Sequence, residues 1–271
     1  MKIKNHLLYY SDDKQTPYFL TPNCSGVYQP QYLVMHYTAA TTADSAISWF
    51  KSPVAQASAH LVIGRDGAVT QCAPFNVITW HAGKSQWKGL IGLNKHSIGI
   101  ELVNAGRLVK VGDRFICAVD RKVIDPEDVI KARHKNETIE SYWQEYTAKQ
   151  MEVTFDIAAL LVKQYGLRDV IGHEDIAPIR KSDPGPAFPI ASLRSRSIGR
   201  ANESLDEQET NILLNIRSGP GSDFSLLTDP LPKGTKVMVL KTEGTWSFVE
   251  VLDVVHGIMD LEGWVSTKFL I

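Results

Sequence analysis

GHEDIAPIRKSDPGPAF, residues 172–188, sets a histidine, a lysine and an aspartate (His173, Lys181, Asp183) in a stretch broken by Pro178, Pro184 and Pro186. That spacing suits neither a helix nor a strand, and the prolines remove backbone donors that either would need. The stretch therefore reads as a site and not as a core element. Imidazole and carboxylate are ligands of a hard-to-borderline divalent cation, and a lysine two positions before the carboxylate can lean over whatever the metal polarises. One more ligand completes a catalytic site with an open position. His36, in the apolar run YLVMHYT at 32–38, is the candidate, although a lone histidine beside apolar residues is more often a core residue than a ligand.

Four further strings stand in order before this one: HYT at 36–38, AHLVIGRDGAV at 59–69, WHAG at 80–83 and NKHSIGIELVN at 94–104. Together with 172–188 they resemble the zinc-dependent N-acetylmuramoyl-L-alanine amidases, the amidase-2 family that includes phage lysozyme-type amidases and peptidoglycan recognition proteins. The resemblance spans roughly residues 30–190. It implies one zinc per chain held by His36, His173 and Asp183, with Asp183 standing where some relatives carry cysteine. Glu101 matches the acid of the family's IGIE strand, which orients or deprotonates the water. A carboxylate in SIGIELV is partly desolvated, which raises its pKa into a range useful to a general base; a salt-bridged strand end is the structural alternative. Lys181 matches the lysine that stabilises the oxyanion, the alternative being an exposed loop lysine. His60, Trp80, His81 and Asn94 match positions lining the substrate groove, and Trp80 would serve equally as core. His6, His96, His134 and His256 have no motif support and read as surface residues.

The reaction implied is hydrolysis of the amide between N-acetylmuramic acid and L-alanine of the stem peptide, with peptidoglycan or muropeptides as partners. Two alternatives share the fold: a recycling amidase acting on small anhydro-muropeptides, toward which the 172–188 string leans, and a non-catalytic peptidoglycan-binding protein. The latter usually lacks a ligand or the acid, whereas all five positions are filled here.

Composition narrows the field. Lys+Arg 29 against Asp+Glu 30 gives a formal net charge of −1, so no global basic field draws the chain to nucleic acid or anionic membranes. Cys24, Cys72 and Cys117 are odd in number and lack CxxC spacing, so they read as small buried hydrophobes. Leu7 to Tyr10 is too short an apolar stretch for a signal-peptide core, and no run of eighteen apolar residues predicts a membrane span. The expectation is synthesis in the cytoplasm and action on the cell wall after lysis or dedicated export. The export or immunity partner this would require stays open.

The fold class expected is α/β, a mixed central β-sheet flanked by helices, followed by a small all-β barrel. YLVMHYT predicts a buried strand ending at the site, and SIGIELV a central strand carrying Glu101. DSAISWFK at 44–51 predicts a short helix with Asp44 as N-cap. Asp66-Gly67 and Gly112-Asp113 signal hairpins. Met151, Phe155, Ala158, Val162 and Tyr165 recur at helical steps, and Gly166 ends that helix. The catalytic domain is set at 1–190, with an insertion at about 106–136 read as a flap over the cleft. Residues 191–210, polar and without periodicity, read as a linker. Residues 211–271 resemble a bacterial SH3-like barrel, a module that accompanies cell-wall hydrolases, through NIRSGPGSDFSLL, WSFVEV and GWVSTKFL.

Overall fold

The run YLVMHY forms the strand Tyr32–Tyr37, buried at all but its last position. Its side chains alternate between two cores: Leu33 and Met35 enter one, Tyr32 and Val34 the other. A strand covered on both faces is what a continuous apolar run encodes. This is a computed structural model, and it describes residues 1–198, 206–258 and 261–271. The central sheet has five strands in the order Asp169–Gly172, Tyr32–Tyr37, Ser97–Leu102, Leu61–Ile63, Val69–Gln71. The first four run parallel, and the last closes an antiparallel hairpin at the expected Asp66-Gly67 turn. The register sets Glu101 beside His36 and Gly172 beside Met35, so the next residue, His173, emerges at the same sheet edge.

The helix Ala148–Tyr165 covers one face. Thr147 caps it by accepting from the Gln150 N–H, and Gly166, at φ 62°, ends it in the left-handed region where glycine is favoured. Its deepest residues are Ile157, Ala158 and Leu161, whereas Met151, Phe155, Val162 and Tyr165 are only partly buried. The buried face is rotated because two polar residues on it find partners: Gln150 Nε2 donates to the Ile63 and Val103 carbonyls, and Thr154 Oγ1 to the Gln150 carbonyl. The short helix Ala43–Lys51 begins at Thr42, not Asp44. Asp44 sits in its first turn, where a carboxylate suits the helix dipole.

The insertion is larger than its composition predicts. Arg107–Val111, Arg114–Cys117, Val123–Ile124, Val129–Arg133 and Glu140–Gln144 form a separate five-stranded antiparallel sheet that runs on to residue 144. Its small core is Ala105, Leu108, Cys117 and Ile124. The segment is pinned and is no free flap: Asp120 accepts from both the backbone N–H (2.9 Å) and the hydroxyl of Thr41, and the Cys117 thiol donates to the Ala39 carbonyl.

The first part of the expected linker is the helix Ile190–Ile198, with Ile190, Ala191, Ser192 and Leu193 buried. Its periodicity is masked because Ser192 and Ala191 supply buried positions and Arg194 forms a two-bond ion pair with Asp169. Residues 199–205 of that linker lie outside the described residues. A small antiparallel sheet follows, ordered Asp206–Glu209, Lys236–Glu243, Trp246–Val251, Glu262–Ser266, over its own core including Ile216, Val237, Val249 and Val265. It touches the rest of the chain at polar points. Ser192 Oγ donates to the buried Glu250 Oε2 at 2.8 Å, and the Arg133 N–H to the Gly257 carbonyl at 3.0 Å. Burial pushes the Glu250 carboxyl up to about 7 even against the Ser192 hydrogen bond. No helix among the described residues is long and apolar enough to cross a membrane.

Candidate metal centre

His36 is the penultimate residue of its strand, His173 opens the four-residue helix after the neighbouring strand, and Asp183 arrives on the proline-broken loop behind it. All three are buried, and their donor atoms form a triangle with equal sides. His36 Nδ1 to His173 Nδ1, His36 Nδ1 to Asp183 Oδ2 and His173 Nδ1 to Asp183 Oδ2 are each 2.9 Å.

The outer nitrogens decide which atoms carry protons. His173 Nε2 lies 3.2 Å from the Ala82 carbonyl, which can only accept, so the proton sits on Nε2. His81 Nε2 lies 3.1 Å from the Ser97 carbonyl, so His81 is protonated there and its Nδ1 accepts from His36 Nε2 at 3.0 Å. Both inward Nδ1 atoms therefore present lone pairs. Burial, reinforced by His173, lowers the His36 pKa to about 4 and keeps it neutral. Burial alone would raise Asp183, but the His173 and His36 imidazoles beside it hold its carboxyl well below the usual range. Three lone-pair donors converge on one point, His173 backed by the Ala82 carbonyl and His36 by His81, an arrangement that could hold a divalent cation. Gly99 makes room for this relay, because a Cβ there would fall 2.5 Å from the His81 ring.

Glu101 occupies the adjacent strand in register with His36. Its residue lines the cavity, but its Oε2 is sealed from solvent with no hydrogen-bond partner. Desolvation, then the nearby Asp183, push its pKa well above the ordinary value. Among the described residues no ion pair reaches it, and only the field of Lys181 opposes the rise. Lys181 lines the same cavity, and among the described residues no hydrogen bond or ion pair engages its ammonium. The cavity has a volume of about 930 Å³ and takes in the three donors, Glu101 and Lys181, with Trp49, Trp80 and Val119 on its walls.

Of the four groove residues expected, Trp80 and His81 line the cavity and two do not. His60 is fully buried, accepting from the Gly99 N–H at Nδ1 and donating to the Val77 carbonyl from Nε2, so it clamps strands together. Asn94 accepts from the Ala82 N–H at 2.7 Å and holds the WHAG loop. His134, expected at the surface, is buried against Glu174. Unforeseen participants are Trp49, half-exposed at the cavity mouth, and Arg180, whose Nη2 donates to the Ala82 and Lys84 carbonyls. Arg180 stands inside the opening motif, and Trp49 is the large apolar residue that the Ala43–Lys51 helix leaves outward.

Residues 26–186 match the Amidase_2 family model, described as N-acetylmuramoyl-L-alanine amidase. The chain belongs to this family. It is 30% identical over 176 residues to the N-acetylmuramoyl-L-alanine amidase AmiD of Escherichia coli (strain K12), covering 62% of this chain and 53% of AmiD. It is 35% identical over 139 residues to the 1,6-anhydro-N-acetylmuramyl-L-alanine amidase AmpD of the same strain, covering 51% of this chain and 56% of AmpD. The chain thus spans about half the length of the curated relatives it matches. A crystal structure described as a Se-Met AmpD derivative superposes with a TM-score of 0.51 at 23% identity, covering 72% of this chain and 99% of that one, which shows the amidase-2 α/β fold.

Proposed function

We propose that this amidase-family chain is a zinc-dependent peptidoglycan hydrolase. It cuts the amide between the lactyl group of N-acetylmuramic acid and L-alanine of the stem peptide. The observation that carries the reading is the triangle of three lone-pair donors 2.9 Å apart, with an unpartnered carboxylate on the next strand. His36, His173 and Asp183 hold one zinc, which when bound supplies Lewis acidity toward water and the amide carbonyl. Glu101, a carboxylate whose pKa burial raises, takes the proton of the attacking water, then returns that proton to the leaving amine. Lys181, with no other partner among the described residues, faces the negative charge that develops on the carbonyl oxygen. Trp49 and Trp80 offer flat apolar surface for the sugar and peptide.

The family also includes AmpD, a 1,6-anhydro-N-acetylmuramyl-L-alanine amidase, so cleavage of small anhydro-muropeptides is the second reading. What favours polymer is the small antiparallel sheet after residue 205, which we read as an SH3-like wall tether on residues 211–271. A non-catalytic recognition role is disfavoured by the five filled positions. Action at the wall then follows delivery by lysis or export.

Product analysis tests this. Digestion of purified sacculi, and separately of anhydro-muropeptides, is expected to release stem peptides with a free L-alanine amine and muramic acid free of peptide. Cleavage at a glycosidic bond, within the stem peptide, or nowhere in zinc-loaded protein would refute it.

A further inference from the structure

Glu174 follows the metal-site residue His173 and is 2% exposed, yet carries a full set of donors. His134 Nε2, itself 2% exposed, lies 2.5 Å from Glu174 Oε2. The Asn136 N–H donates to His134 Nδ1 at 3.2 Å, which fixes the proton on Nε2 and makes His134 the donor to Glu174. Lys135 Nζ sits 2.8 Å from Glu174 Oε1 and 2.9 Å from Asp175 Oδ1. The backbone at Asp183 and at Gly185, just beyond it, is gripped by the same residue. The Glu174 N–H donates to the Asp183 carbonyl at 2.8 Å, and the Gly185 N–H donates to Glu174 Oε2 at 3.2 Å.

His134, Lys135 and Asn136 come from the insertion sheet, directly after its strand Val129–Arg133. The Asn136 amide reaches the Glu174 carbonyl at 3.3 Å, and the His134 ring stacks on Trp143 of the last insertion strand at 5.7 Å between centroids. A carboxylate that far from water is stable only with its donors in place, and losing one costs more than an exposed pair would.

We propose that His134 and Glu174 are positioning residues for the metal: the insertion sheet is a buttress that fixes Asp183 against His36 and His173. This rests on the metal reading above. Glu174 touches no substrate and donates no lone pair to the site. It acts by holding the backbone at the Asp183 carbonyl and two residues beyond it, at Gly185, so that the carboxylate is presented ready-made to the cation. Partners behind a ligand typically govern about 10–100-fold in metal affinity.

The test compares wild type with His134→Leu, His134→Gln, Glu174→Gln, Lys135→Ala and Asp183→Ala in the full chain. Zinc affinity is measured by chelator competition, coordination by the visible absorption of the cobalt-substituted protein, and folding by circular dichroism of the metal-free form. His134→Leu and Glu174→Gln are expected to weaken zinc about 10–100-fold and to shift the cobalt spectrum. His134→Gln, whose amide can still donate to Glu174, should recover most of the affinity. Folded His134→Leu and Glu174→Gln proteins with wild-type affinity and spectrum would overturn the proposal. Should either fail to fold, Lys135→Ala decides, since it removes one donor from a half-exposed position. Weakened zinc there supports the buttress, and unchanged zinc with an unchanged spectrum refutes it. Wild-type protein that binds no zinc, or binds it as well after Asp183→Ala, sinks the metal reading itself and the buttress with it.

Discussion

Replacing Glu101 by glutamine removes one charge and almost no volume, and the structure separates its consequences for turnover and for folding. Oε2 lies sealed with no partner, beside His36 and in the field of Asp183. Loss of a general base lowers turnover by about two orders of magnitude or more, which is about 2.7 kcal/mol in the barrier at 1.36 kcal/mol per tenfold. Zinc content should not change, because Glu101 is outside the donor triangle. Stability should move the other way. The folded carboxyl holds its proton well above the ordinary 4.5, so between that value and its folded pKa the native state binds more protons than the unfolded chain. The stability of metal-free wild type therefore falls as pH rises above about 4.5 until the folded pKa is passed. Glu101→Gln lacks this fall and should be the more stable metal-free protein near neutrality. The assays are steady-state cleavage of a muropeptide with zinc content measured in parallel, and thermal melts of chelated protein across pH 5–8. Near-normal turnover of the zinc-loaded variant would refute the base assignment, and parallel melting profiles would refute the burial account.

Lys181→Ala should lower kcat far more than it raises KM, because the contact strengthens as charge develops on the carbonyl oxygen; a pure KM effect in steady-state kinetics would make Lys181 a binding residue. A chain ending at Glu203 keeps the helix Ile190–Ile198 but removes Glu250 from Ser192 and Gly257 from the Arg133 N–H. Two such bonds at about 1 kcal/mol each predict a Tm lower by about 5 °C. Small muropeptides should still be cleaved, while binding to sacculi falls with the loss of the tether; undiminished sacculus binding in a sedimentation assay would remove the wall-binding role from the terminal sheet.

The half that matches the amidase family was legible because its information is local. The apolar run that carries His36, the β-rich SIGIELV strand and the turn signals Asp66-Gly67 and Gly112-Asp113 each specify their own element, and the loop 172–188 is broken by its prolines. What escaped depends on partners distant in sequence. His134 lies forty positions from Glu174, and nothing beside it announces that a buried carboxylate awaits it. His60 looks like a groove residue until the Gly99 N–H and the Val77 carbonyl are seen to use both its nitrogens. The strands Val129–Arg133 and Glu140–Gln144 carry charged residues on a sheet with one wet face, so their composition resembles a loop. The helix Ile190–Ile198 hides behind serine and arginine, because only Ile190 and Leu193 enter the main core while Ser192 and Arg194 hold Glu250 and Asp169.

The pairing of His36 with Glu101 across two parallel strands has a consequence for how this site can vary. Neighbouring strands are held about 4.8 Å apart by their backbone ladder, so the backbone spacing between His36 and Glu101 is fixed and no side-chain exchange elsewhere can stretch it. Lys181 and Asp183 ride instead on a loop, where an altered residue or a shifted support changes angle and reach continuously. Adaptation to a bulkier or differently branched substrate is therefore confined to one side of the cleft. Directed evolution for new amide substrates should accumulate changes at the loop and its supports, around Arg180, Ser182 and the insertion, and leave the strand pair untouched.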